Sequence, residues 1–197
     1  MNPIPVTLEG THVRLEPLAR AHADDLFAAA QFDEIWEYFL QPRPATREQM
    51  RAWVDSALAQ VAAGAQVWFA ILHRADACAI GVTAYLNIAR GDHTLEIGGT
   101  WLTPAAWRTP INTECKYLLL RHAFENLGCR RVQLKTDERN TRSRRAIERL
   151  GAVPEGILRK YQARFDGYQR NTAMYSIIDT EWQTVRARLE KFLAEQR

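Results

Sequence analysis

The residues from Thr100 to Asn112, TWLTPAAWRTPIN, run directly into an apolar segment, TECKYLLLRHAFENLG. A strand end, a short loop and a helix start can together hold an anion. The first turn of a helix presents unpaired N–H groups and the positive end of its dipole. Loops that cradle phosphate this way usually carry glycine, and here Pro110 stands where a glycine is expected. Proline still suits the first helical position, with Thr109 as N-cap before it. It removes one donor and leaves the N–H groups of Ile111, Asn112 and Thr113. Arg108 and the side chains of Thr109, Asn112 and Thr113 can supplement them. Taken alone, the segment reads more readily as an ordinary capped helix start. Just upstream, EIGGTWL sets Gly98 and Gly99 side by side in a strand-like run, which marks a bulge or the close approach of another backbone. A bulge would free backbone groups near Thr100 and Trp101, with Leu102 next along the strand.

These residues need elements to hold them. THVRLEPL (11–18) alternates as a half-buried strand does, and RAHADDLFAAAQ (20–31) reads as a helix. Residues 32–44 are aromatic and then broken by proline. Residues 46–64 form a clear helix with Thr46 as N-cap, Gln49 at the capping-box position and Gly64 as stop. Strands follow at 66–72, 79–89 and 94–102 as an antiparallel meander, then a long helix at 111–127 ended by Gly128. RVQLKTD (131–137) is a strand with Val132, Leu134 and Thr136 on one face. A short helix from Thr141 to Leu150 closes at Gly151, a strand runs from Tyr168 to Ile178, and EWQTVRARLEKFL is an amphipathic helix. The order predicts a mixed α/β fold, neither a βαβ repeat nor a sandwich.

Composition sets bounds. The chain has 197 residues, 47% of them hydrophobic, which suits one domain over 1–197 with a sizeable core. A net charge of +3 accommodates an acidic small molecule and falls short of a nucleic-acid-binding balance. Cys78, Cys115 and Cys129 lack metal-type spacing and read as free thiols, so no metal is expected. The opening residues do not resemble a leader and no apolar run would span a bilayer, so a cytoplasmic protein is expected. Arg142, Arg145 and Arg149 share one helical face, but a strand precedes that helix where a helix-turn-helix needs another helix. Neither nucleic acid nor membrane is expected as a partner.

Four pieces, in order, resemble the GCN5-related N-acetyltransferases, in particular the branch of ribosomal-protein N-terminal acetyltransferases. They are LEGTHVRLEPL, then LEIGGTWLTPAAW with INTECKYLLLRHAFENLG, then RVQLKTD with NTRSRRAIERLGA, and finally DGYQRNTAMYSI. The resemblance implies a twisted, mostly antiparallel sheet with two splayed central strands, acetyl-CoA as cofactor and a peptide or small-molecule amine as acceptor. It implies pantetheine between the splayed strands, near Thr100, Trp101 and Leu102, and pyrophosphate at Arg108, Thr109, Ile111, Asn112 and Thr113. Asn140 would hydrogen-bond pantetheine, or simply cap its helix.

Aminolysis of a thioester needs a base for the amine and an acid for the leaving thiolate. Glu96 is the candidate base, with His93 and Asp92 as second choices. The tyrosine that many relatives use as acid falls at Ile147, so Ser143 is the nearest hydroxyl at a matched position. Trp36 and Tyr38 from 32–44, and Arg170 from the late turn, are candidate acceptor contacts, although an ordinary aromatic cluster fits the first two as well. A non-catalytic acyl-CoA binder and a transferase of longer acyl chains are the alternatives, and a homodimer stays open.

Overall fold

The computed structural model describes residues 1–196. Eight strands form one sheet: β1 (Leu8–Glu9), β2 (Val13–Pro17), β3 (Val67–His73), β4 (Ala79–Ala89), β5 (Thr94–Leu102), β6 (Arg131–Asp137), β7 (Val153–Ala163) and β8 (Gln169–Ile178). The helices are α1 (Ala23–Ala29), α2 (Asp33–Trp36), α3 (Arg47–Ala62), α4 (Ile111–Arg121), α5 (Thr141–Leu150) and α6 (Trp182–Ala194). The strand order is β1-β2-β3-β4-β5-β6-β8-β7. Every neighbouring pair is antiparallel except β5 and β6.

That parallel pair opens after a short start. Thr94, Leu95 and Glu96 pair with Arg131, Val132 and Gln133, and no ladder joins the strands beyond them. β6 stays paired with β8 along its whole length, from Arg131 to Asp137. The facing edges of β5 from Ile97 and β6 from Leu134 therefore diverge around a gap.

The expected bulge lies on the gap's edge. Val82 is opposite Trp101 and Ala84 opposite Gly98, so Thr83 alone faces both Gly99 and Thr100. Gly99 has φ +61°, and a Cβ there would lie 2.5 Å from the Trp68 ring, so only glycine is accommodated without strain. The extra residue bends β5 where it parts from β6.

The two faces of the sheet are dressed differently. Leu95, Ile97, Val132, Leu134, Ala173, Tyr175 and Ile177 pack under α4, α5 and α6 in the main core. On the other face α1, α2 and α3 bury Ala70, Leu72, Val82 and Trp101, and this second core includes no residue of β6, β7 or β8. Side chains alternate along a strand. Glu96, Gln133, Lys135, Asp137, Arg170 and Thr172 thus point to the face that helices leave open.

Three details differ from expectation. Residues 153–163, not assigned as a strand above, form the edge strand β7. VPEGILRKYQA lacks alternation because nearly all of it is exposed, and its proline and glycine suit an edge. The helix after the loop is α-helical only to Arg121; its last turn, His122–Asn126, widens so that the Leu127 N–H bonds the His122 carbonyl at 3.0 Å. Thr46 caps α3 by accepting from the Gln49 N–H at 3.2 Å, but Gln49 returns to the Ala45 N–H at 2.6 Å, one residue early for a capping box.

Candidate active site

The loop between β5 and α4 is built from local bonds. Pro110 has helical angles (φ −62°, ψ −19°) and its carbonyl accepts the first helical bond, from the Glu114 N–H at 2.9 Å, which makes Pro110 the N-cap of α4, one place before the first helical position expected for it. Thr109, expected as the N-cap, stands one residue before it and braces the first turn: its Oγ1 accepts from the Ile111 N–H at 3.3 Å and donates to the Ala106 carbonyl at 2.7 Å. This corrects the donor inventory, because Thr109 and Ile111 are occupied within the loop. The N–H groups of Asn112 and Thr113 have no protein partner among the described residues. The glycine-like conformation falls not at Pro110 but at Arg108, with φ +61° and an exposed side chain. The Thr113 side chain is buried and accepts from Arg149 Nη2 at 3.1 Å, so only its backbone faces the loop end.

Along β5, the Leu102 carbonyl accepts from Trp107 Nε1 at 2.9 Å and is not free. Trp107 is capped in turn by the Arg142 guanidinium, 3.6 Å from its ring centroid. This contact joins the β5–α4 loop to the first turn of α5. Asn140 caps α5 through Oδ1, which accepts from the Ser143 N–H at 2.9 Å. Ser143 is half-buried beside it, and Ile147 is buried in the main core.

Beneath the bulge lies a group the sequence reading missed. Lys116 of α4 is 6% exposed, and its Nζ donates to Thr100 Oγ1 at 2.5 Å and to Thr83 Oγ1 at 3.4 Å. The two hydroxyls also bond each other at 2.8 Å. Burial pushes the Lys116 amine below its ordinary pKa, against a smaller upward pull from Cys115 and Glu96. The sequence signal was a lysine at the head of that helix's apolar run, between Cys115 and Leu118.

On the open face, Glu96 is 1% exposed. Its Oε2 meets Lys135 Nζ at 2.9 Å, Asn87 Nδ2 at 2.7 Å and Gln133 Nε2 at 3.0 Å. Oε1 takes none of these bonds and lies over Gly98, where a Cβ would come within 2.5 Å of it. The second-choice bases are far from the gap's open end. His93 is held at the paired end of β5, its Nδ1 3.2 Å from the Gly128 carbonyl, and Asp92 is exposed in the same turn. Asp137 is fully buried. Burial raises its pKa, but bonds from the Arg139 side chain and backbone outweigh that and hold it low.

The segments 32–44 and 164–168 do meet. The Phe165 N–H bonds the Leu40 carbonyl at 3.0 Å, and Arg164 donates to the Glu37 carbonyl. The Arg139 guanidinium lies 3.8 Å from the Tyr168 ring and 5.9 Å from Tyr38. Trp36 is buried instead, 5.8 Å from Trp101, with Nε1 donating to the Ala30 carbonyl. It packs as part of the second core rather than lining the open face.

A sheet split between two parallel strands, a helix start at the gap and a buried carboxylate on the opposite face together form the candidate site. The chain matches the Acetyltransferase (GNAT) domain over residues 12–153, and it belongs to that family. A GCN5-related N-acetyltransferase from Brucella melitensis is 32% identical with a TM-score of 0.92, covering 98% of this chain and 87% of that one. The Bacillus subtilis (strain 168) protein "Uncharacterized N-acetyltransferase YoaA" is 25% identical over 171 residues, 87% of this chain and 96% of its own length. The ribosomal-protein-S5-alanine acetyltransferase of Vibrio fischeri shares the fold at a TM-score of 0.75 and 18% identity, covering 90% and 98%. No described helix is long and apolar enough to cross a membrane, and no described cluster of His, Cys, Asp or Glu could hold a metal.

Proposed function

We propose that the chain transfers an acetyl group from acetyl-CoA to a primary amine, of a protein N-terminus or a small molecule, by direct attack in a ternary complex. The observation that carries this reading is the gap between β5 and β6. Two strand edges without a ladder leave backbone N–H and C=O groups that an extended, amide-bearing ligand can pair with. The unpaired N–H groups of Asn112 and Thr113, with Arg108 beside them, suit a pyrophosphate at one end of that ligand. Acetyl-CoA brings the activated thioester.

The chain's residues do the rest. Glu96 receives the amine proton at Oε1, directly or through one water, while Lys135, Asn87 and Gln133 hold Oε2 in place. The ammonium of Lys116 fixes Thr100 and so the bulged edge of β5. With isoleucine at 147, no tyrosine on α5 can protonate the leaving sulfur, so Ser143 orients it or relays a proton. Most of the rate then comes from holding amine and thioester together.

A second reading, a non-catalytic acyl-CoA binder, is favoured by two observations: Ile147 at the acid position and the lysine already paired with Glu96. CoA release from acetyl-CoA across a panel of amines and peptides separates the two. The transferase reading expects turnover with at least one amine, and a Glu96→Gln variant slower by about 100-fold with unchanged acetyl-CoA affinity. Tight CoA binding with no acceptor turned over would favour the binder. Absence of CoA binding would overturn both.

A further inference from the structure

The open face beyond Glu96 carries four cations, Lys135, Arg139, Arg164 and Arg170. Three have carboxylate partners: Lys135 with Glu96 at 2.9 Å, Arg139 with Asp137 at 2.9 Å and Arg164 with Asp166 at 3.2 Å. Arg170 is the cation left over. It is 7% exposed, and its only bond among the described residues runs from Nε to Thr172 Oγ1 at 3.2 Å. Its two terminal nitrogens, the fork that matches a carboxylate, have no protein partner. Residue 171 is a neutral asparagine, engaged with Glu138 at 2.7 Å and the Lys160 N–H at 2.8 Å, and supplies no counter-charge.

Arg170 thus has no ion pair although little of it is exposed, and its terminal nitrogens are not among the fully buried unpaired atoms, so they face the open side. Asp137 and Glu96 pull it toward the charged form, but each already serves another cation. Next to it Gln162, opposite Arg170 in the β7–β8 ladder, has a buried Oε1 with no partner, and Arg164 has a buried Nε with none. Unsatisfied polar atoms gathered around one unpaired cation, on the face of the candidate base, are the signature of a site awaiting a charged group.

Resting on the proposed N-acetyl transfer, we propose that Arg170 receives a carboxylate of the acceptor, so that the amine acetylated at Glu96 belongs to a molecule with a carboxylate close to that amine. A free amino acid and a peptide with an acidic residue near its N-terminus share this chemistry.

Matched acceptor pairs test this. Amino acids are compared with their amides, and peptides with Asp or Glu near the N-terminus with their Asn or Gln counterparts. Wild type is expected to favour the carboxylate member by about 10- to 100-fold in kcat/KM. Arg170→Gln removes that preference, chiefly through acceptor KM, with acetyl-CoA affinity unchanged, and Arg170→Lys keeps part of it. Whichever pair shows the preference identifies the source of the carboxylate. Equal use of acid and amide by wild type, or a preference that survives in Arg170→Gln, would overturn the proposal. Calorimetry with an N-acetyl amino acid and its amide gives the same comparison without turnover. If no amine is acetylated, the transferase reading falls, and the binding arm still decides the role of Arg170. Melting curves of both variants establish that they are folded.

Discussion

Glu96 and Lys116 sit on opposite faces of one strand region, and their environments assign them different work. Glu96 is buried but held by three donors on one oxygen, which leaves the other oxygen for the proton transfer we propose. Lys116 is buried against two hydroxyls with no described carboxylate beside it. Its pKa is lowered in the fold, so between that value and the unfolded value the unfolded chain binds more protons, and stability rises with pH across this window. At neutral pH the charge is therefore a burden. Lys116→Met is expected to be more stable than wild type in urea at pH 7, by up to about 4 kcal/mol. That advantage should shrink as pH approaches the unfolded lysine value of about 10.4. Comparing the two proteins cancels the other titrating groups. The candidate base was legible because it stands before two glycines in a strand. Lys116 was not, since a strand bulge from another part of the chain gives it its partners.

At the scale of elements, the bulge in β5 and the start of α4 carry the account. Both could be read from short-range chemistry: adjacent glycines in an alternating run, and threonine followed by proline before an apolar helix. What could not be read is which donors remain free after the loop folds. The Thr109 hydroxyl takes the Ile111 N–H, and the Trp107 indole takes the Leu102 carbonyl; both depend on a loop conformation in which Arg108 adopts positive φ. The edge strand β7 escaped because exposed strands lose the apolar alternation that marks buried ones. The bulge makes its own prediction. Gly128 and Gly99 both have positive φ, but a Cβ at Gly128 meets nothing within 4 Å. Gly128→Ala should cost about 1 kcal/mol from backbone strain alone. Gly99→Ala should cost about 3 kcal/mol, because the Trp68 ring must also move. Urea midpoints measure both, and equal losses would mean that the bulge is not held by that packing.

Over the whole molecule, the sheet is covered on one face by α4, α5 and α6 and left half open on the other. The split between β5 and β6 lies between the helix start and the open face, and the proposed transfer has acyl donor and acceptor approach from opposite sides of it. The mixed α/β order and the family were readable from the sequence because four motifs occur in sequence along the chain. The ion-pair arithmetic of the open face was not, since it joins β5, β6, the α5 approach and the β7–β8 turn. Hydrogen exchange of the backbone amides with and without CoA addresses the central claim most directly. The account predicts slowed exchange at Asn112, Thr113 and along Gly99–Trp101 when CoA is added. Unchanged exchange at those amides, with protection appearing elsewhere, would contradict it.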